Sequence, residues 1–135
     1  MKKEQNFISI LKKISQDIEC VGNQTLAACV VKRNKIISFG HNKNKSHPLQ
    51  NKFTKHPQAI YLHAEIDAIK NALKRLSVEE IVGSTLYIAR TKKNGSEGLA
   101  KPCVGCMQAL ESFNFSKIVY TTNKEGFYEV FERKV

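Results

Sequence analysis

Apolar residues change their period repeatedly along this chain, and that alternation constrains its fold more than any other feature. Phe7, Ile10, Leu11, Ile14 and Ile18 recur at helical spacing, which predicts an amphipathic helix over residues 5 to 19. LAACVVK and KIISFGH follow as two strand-like runs separated by Arg33 and Asn34, the length of a tight antiparallel hairpin. Residues 42 to 58 are polar and basic, punctuated by His47-Pro48 and His56-Pro57, and read as a long loop. From about Leu62 the helical period returns. Ile66, Ile69, Leu73 and Leu76 form one stripe, with Asp67, Lys70 and Lys74 away from it. STLYIAR reads as a buried strand and TKKNGSEGLAK as a second polar loop, before Met107, Leu110 and Phe113 continue a helix that starts near Cys103. KIVYTT, the turn NKEG and FYEVFERKV add two more strands. The order α-ββ-α-β-α-β-β predicts an α/β fold, a three-layer α/β/α sandwich around a central mixed five-stranded sheet.

At 135 residues, 1–135 is expected to form a single domain. The apolar and charged fractions, 41% and 25%, are those of a globular protein and exclude a disordered chain. No apolar run approaches the roughly 18 residues of a membrane span. The opening MKKEQNFISILKKISQ lacks a continuous apolar core and a small-residue cleavage site, so it reads as the first helix and the expected compartment is cytoplasmic.

Two short motifs carry the chemistry. His63-Ala64-Glu65 opens the second helix and Pro102-Cys103-Val104-Gly105-Cys106 opens the third. Cys103 and Cys106 are three apart and project from one face once helical. Pro102 suits a place at or just before the first turn, and the positive end of the helix favours thiolates. One His and two Cys leave the fourth position of a tetrahedral Zn²⁺ open to water, the pattern of a catalytic site. Residues two apart in an ideal helix point about 200° from each other, so His63 must lie at or before the first turn if it and Glu65 are to face one cleft. A carboxylate there takes a proton from water near neutral pH and passes protons on. Cys29, inside LAACVV, reads as a buried packing thiol, and Cys20 is remote from the pair.

H-x-E followed by P-C-x-x-C, here HAEIDA and KPCVGC, resembles the cytidine and deoxycytidylate deaminase superfamily, and the order of elements around the motifs is similar too. The resemblance implies a cytidine deaminase-like fold, one catalytic zinc ion held by His63, Cys103 and Cys106, and Glu65 as the acid/base. It implies hydrolysis: water adds at C4 of a cytosine ring, Glu65 protonates N3, and ammonia leaves. The backbone amides of Ala64 and Cys103 are expected to contact the base or the attacking oxygen. Asn42, ending the second strand-like run, is similar to a strand-end Asn that holds the sugar in related deaminases, although Asn also favours turns.

The substrate is less constrained. HAEI and PCVxC are similar to tRNA adenosine deaminases as well as to deoxycytidylate deaminases. The chain departs from both in the TKKNGSEGLAK loop, in Lys101 before Pro102, and in the short NKEG turn where those families place a helix. Twenty-two Lys and Arg against 12 Asp and Glu give +10, a field that attracts phosphorylated small molecules or polyanions, or simply a solubilising surface. The basic loops 43–58 and 92–101 are expected to flank the site, so Lys43, Lys45, Lys52, Lys55, Lys92, Lys93 and Lys101 are candidates to meet phosphate. Only Phe53 and Tyr61 are available in these loops to stack bases. A free cytosine nucleotide or nucleoside is therefore the favoured partner, ahead of single-stranded DNA or tRNA, with no membrane partner. A catalytically inactive zinc-stabilised binding protein is the third reading, and the presence of Glu65 argues against it. His41, His47 and His56 raise a second zinc, against which the loop offers no cysteine. Relatives assemble as dimers or tetramers, which leaves a homo-oligomer open.

Overall fold

A computed structural model describes residues 2–16, 24–43, 48–49, 63–92 and 94–132. Its elements are α1 (Lys2–Gln16), β1 (Gln24–Lys32), β2 (Lys35–His41), α2 (Ala64–Ala72), α3 (Val78–Ile81), β3 (Thr85–Lys92), β4 (Glu97–Gly98), α4 (Val104–Ser112), β5 (Lys117–Thr121) and β6 (Tyr128–Glu132). The five main strands run in the order β2-β1-β3-β5-β6. β3 and β5 are parallel and joined through α4, and the other neighbours are antiparallel. Helices cover both sides of this mixed sheet, as the alternating periods predicted. The four-residue α3 and two-residue β4 are additions that the periodicity did not show.

Alternation along β1 divides the core. Ala28 and Val30 face the cluster shared with α2 and α4, whereas Ala27, Cys29 and Val31 face Ile8 and Leu11 of α1. Both faces being covered explains why β1 reads as a continuous apolar run. Cys29 is fully buried and burial pushes its thiol up to about 12, so it packs as an inert apolar group. The β1–β2 hairpin closes through Arg33 (φ 54°) and Asn34 (φ 64°), the paired left-handed residues of a two-residue turn whose twist matches its strands.

Three expectations are corrected. In α1 the buried face centres on Ile8, Leu11 and Ser15, with Phe7 against the Tyr87 ring, while Ile10 is 37% exposed. The helix spans Lys2–Gln16, and Ile18 lies outside the described residues. In α2 Ile66 and Ile69 of the expected apolar stripe are buried, whereas Leu73 and Leu76 lie past the end of the helix and are half-buried, and Asp67 on the supposed polar side is buried too, at 1% exposure. The reason is close seating on β2. An added Cβ at Gly40 would lie 2.2 Å from the Ala68 nitrogen, so this helix rests directly on the strand backbone.

The third correction concerns the loop 92–101, which is knitted into the fold. β4 folds back onto Arg90 and Thr91 of β3. The buried Glu97 carboxylate accepts from the Gly126 amide at 2.7 Å and pairs with Lys12 of α1 at 3.0 Å. Ala100 N–H donates to Thr121 O, and Leu99 N–H to Asn123 Oδ1. This segment thus reaches Cys103 from an anchored base. The long loop predicted over 42–58 lies mostly outside the described residues. No helix among the described residues is long and apolar enough to cross a membrane.

Candidate metal centre

α2 and α4 present their N-termini to each other. His63 is the N-cap of α2, extended at φ −76° and ψ 152°, so it stands outside the helix as the two-residue spacing to Glu65 required. Cys103 is likewise an N-cap, at φ −68° and ψ 169°, which corrects the expectation that both cysteines are helical. Its sulfur accepts from the Cys106 N–H at 3.5 Å, and this turn, more than shared helical phase, brings the two sulfurs together. Pro102 precedes the cap and is buried.

The His63 Nδ1 lies 3.2 Å from the Cys106 sulfur and 3.8 Å from that of Cys103, and the three donor atoms fall within 4.8 Å of one another. Tetrahedral zinc with Zn–S and Zn–N bonds of standard length separates such atoms by about 3.5 to 3.8 Å. The His/Cys/Cys set fits one zinc ion. Hydrogen bonding from the Cys106 thiol, helped by His63 and the Cys106 amide, pulls the Cys103 thiol down to about 3 despite burial, so it is available as a thiolate ligand.

Glu65 sits in the first turn of α2, 4% exposed. Burial pushes its carboxyl up, opposed by its own backbone N–H, the His63 charge and the Cys106 thiol. Glu65 thus places a carboxyl, an acid/base group, next to His63 and Cys106.

Asn42 continues the β1–β2 ladder by one rung. Its N–H donates to Leu26 O at 3.1 Å, and its Oδ1 accepts from Leu26 N–H at 3.0 Å. The amide is buried at 7% exposure. Sequence reasoning missed Asp67. One carboxylate oxygen accepts from His41 N–H at 3.1 Å, and the other pairs with Lys43 at 3.1 Å and Lys70 at 3.0 Å. Burial raises its carboxyl, but Lys70, the His41 amide and Lys43 together hold it below the ordinary range. Asp67 so fastens the end of β2, with Asn42, to the helix bearing Glu65. The available signal was a carboxylate inside HAEIDAI, where nearly every neighbour is apolar.

Of the candidate basic residues, Lys43 is drawn to Asp67, Lys92 is part-exposed and Lys101 is exposed. Lys45, Lys52, Lys55, Lys93, Phe53 and Tyr61 lie outside the described residues, as do His47 and His56. His41 Nδ1 lies 3.1 Å from Asn42 O. Among the described residues, His63, Cys103 and Cys106 form the one group of metal-ligating side chains.

Residues 1–122 match the family model of the cytidine and deoxycytidylate deaminase zinc-binding region. A tRNA-specific adenosine deaminase of Aquifex aeolicus is 30% identical over 100 residues, 74% of this chain. That match spans 53% of the relative, about half its length. The dCMP deaminase of cyanophage S-TIM5 superposes with a TM-score of 0.62 at 22% identity, over 90% of this chain and 83% of that one. Cytidine deaminase from Mycobacterium leprae gives 0.53 at 17% identity, over 90% and 91%. At those identities the two structures establish the fold alone, while the family match covers both motifs of the centre. The chain belongs to the zinc-binding cytidine and deoxycytidylate deaminase family.

Proposed function

We propose that this protein is a zinc-dependent hydrolase that deaminates cytosine to uracil in a free nucleotide or nucleoside. The observation that carries the reading is the buried Glu65 carboxyl beside a centre of three ligating side chains, His63, Cys103 and Cys106. A zinc ion held by His63, Cys103 and Cys106 would supply Lewis-acid activation of water. Glu65 takes a proton from that water, protonates ring N3 as water adds at C4, and later delivers a proton to the departing amino group. The C4–N bond breaks, C4 becomes a carbonyl, and the products are uracil and ammonia. In this reading the amides of Ala64 and Cys103, at or beside the starts of α2 and α4, hold the base and the attacking oxygen. Asn42 commits Oδ1 to Leu26, so it would meet the sugar through Nδ2. Burial of Glu65 and Cys106 supports electrostatic stabilisation of the developing charge.

A dCMP deaminase structure in complex with dCMP and dUMP, from the same cyanophage, shares this fold at a TM-score of 0.62 and supports the nucleotide form. The 30% identity to a tRNA-specific adenosine deaminase favours a second reading, a base within single-stranded nucleic acid. Incubation of the zinc-loaded protein with cytidine, deoxycytidine, CMP, dCMP, cytosine-containing DNA and tRNA, followed by mass spectrometry, separates them. A mass increase of about 1 Da confined to free nucleotides or nucleosides supports the first. Conversion restricted to polymers supports the second, and zinc retention without any conversion removes both.

A further inference from the structure

The cations around the centre differ in their pairing. Lys43 and Lys70 share Asp67, whereas Arg90 has no carboxylate partner among the described residues. Arg90 follows Leu86 and Ile88 along β3, and both belong to the cluster shared with α2 and α4, so its side chain leaves the sheet on the face bearing the centre. It pairs with Leu26, whose N–H and C=O are both bonded to Asn42. Asn42, Leu26 and Arg90 therefore form one row across the site end of the sheet. The guanidinium stem lies along β4, where an added Cβ on Gly98 would meet Arg90 Cδ at 3.0 Å and Nε at 3.2 Å. Nη1 makes one long bond, 3.4 Å, to Leu99 O, and Nε is buried without any partner. A guanidinium has five N–H donors in a fork that matches phosphate oxygens. A partly covered positive charge, with no counter-ion and a free inner donor, calls for an anion.

We propose that Arg90 is a specificity-determining residue that receives a terminal phosphate monoester of the substrate. This rests on the nucleotide reading above. The two Nη groups, at the outer end of the guanidinium, grip two phosphate oxygens.

The test uses binding as well as turnover. Calorimetry on the zinc-loaded full chain measures dUMP, deoxyuridine, inorganic phosphate and a cytosine-containing single-stranded oligonucleotide, with wild type, Arg90→Gln and Arg90→Lys. Wild type is expected to bind dUMP about tenfold or more tightly than deoxyuridine, an advantage that Arg90→Gln loses while its deoxyuridine affinity stays within about threefold. Arg90→Lys, which keeps the charge and loses the fork, should recover part of the advantage and guard against a misfolded glutamine variant. In turnover, KM for dCMP should rise roughly 10- to 100-fold in Arg90→Gln with kcat within about threefold. Equal weakening of dUMP and deoxyuridine, or a phosphate preference that survives the substitution, overturns the proposal. An oligonucleotide that depends on Arg90 more than dUMP does overturns the monoester. If no substrate is deaminated, the reaction assignment fails while the dUMP and deoxyuridine comparison still decides the role of Arg90.

Discussion

Replacing Gly40 with alanine tests how the sheet positions the candidate centre. The new Cβ would lie 2.2 Å from Ala68 N, 2.6 Å from Ala64 O and 2.8 Å from Ala68 Cα. All three are backbone atoms of α2, so no side-chain rotation relieves the clash. Ordinary contact at about 3.5 Å requires the helix to retreat by roughly 1 Å. Overpacking of this kind costs about 3 kcal/mol. With a urea dependence of about 2 kcal/mol per molar, the unfolding midpoint falls by about 1.5 M. The effect on turnover is separate. α2 carries Glu65 and is capped by His63, and a displacement of about 1 Å in a reacting group lowers turnover by roughly 10²-fold. Urea titrations followed by circular dichroism, with zinc content measured alongside, read out both consequences. A stability loss below about 0.5 kcal/mol with unchanged zinc binding would refute the direct seating of α2 on β2.

Four further outcomes are expected. Glu65→Gln should keep zinc and fold while losing roughly 10²- to 10⁴-fold in kcat on whichever substrate is turned over, and a fully active variant removes Glu65 from the mechanism. Cys103→Ser or Cys106→Ser should lower zinc from one ion per chain to a small fraction by elemental analysis, and full retention would mean another ligand set. Asp67 has a lowered folded pKa, so its contribution is complete above the unfolded value near ~3.9 and is lost as pH falls through the folded one. Asp67→Asn should therefore be less stable by roughly 1–3 kcal/mol at neutral pH and converge on wild type in acid, whereas a gap constant with pH contradicts the ion-pair account. Arg33→Asn combined with Asn34→Gly should raise Tm, because Asn-Gly relieves about 1 kcal/mol of left-handed backbone strain, and an unchanged Tm would place that turn outside the stability of the fold.

The sequence determined the layers and singled out the candidate ligand set. Periods of 2 and 3.6 are local properties of the chain, so the hairpin at Arg33–Asn34, the mixed sheet and the helix starts at His63 and Cys103 were legible without coordinates. The spacing of His63 and Glu65 even required His63 to stand outside its helix, where it is found. Only the tertiary structure decided what each polar residue is paired with. Asp67 looked like a solvated helix residue, yet it is buried because Gly40 admits α2 onto the strand, and its partners come from His41, Lys43 and Lys70. Glu97 looked like part of a polar loop, yet Lys12 and the Gly126 amide, both remote in sequence, hold it inside. Arg90 read as the end of a strand, and its unpartnered Nε emerges only once β4 folds over it. Hydrophobic period is encoded along the chain, whereas the fate of a charge depends on which distant groups arrive beside it.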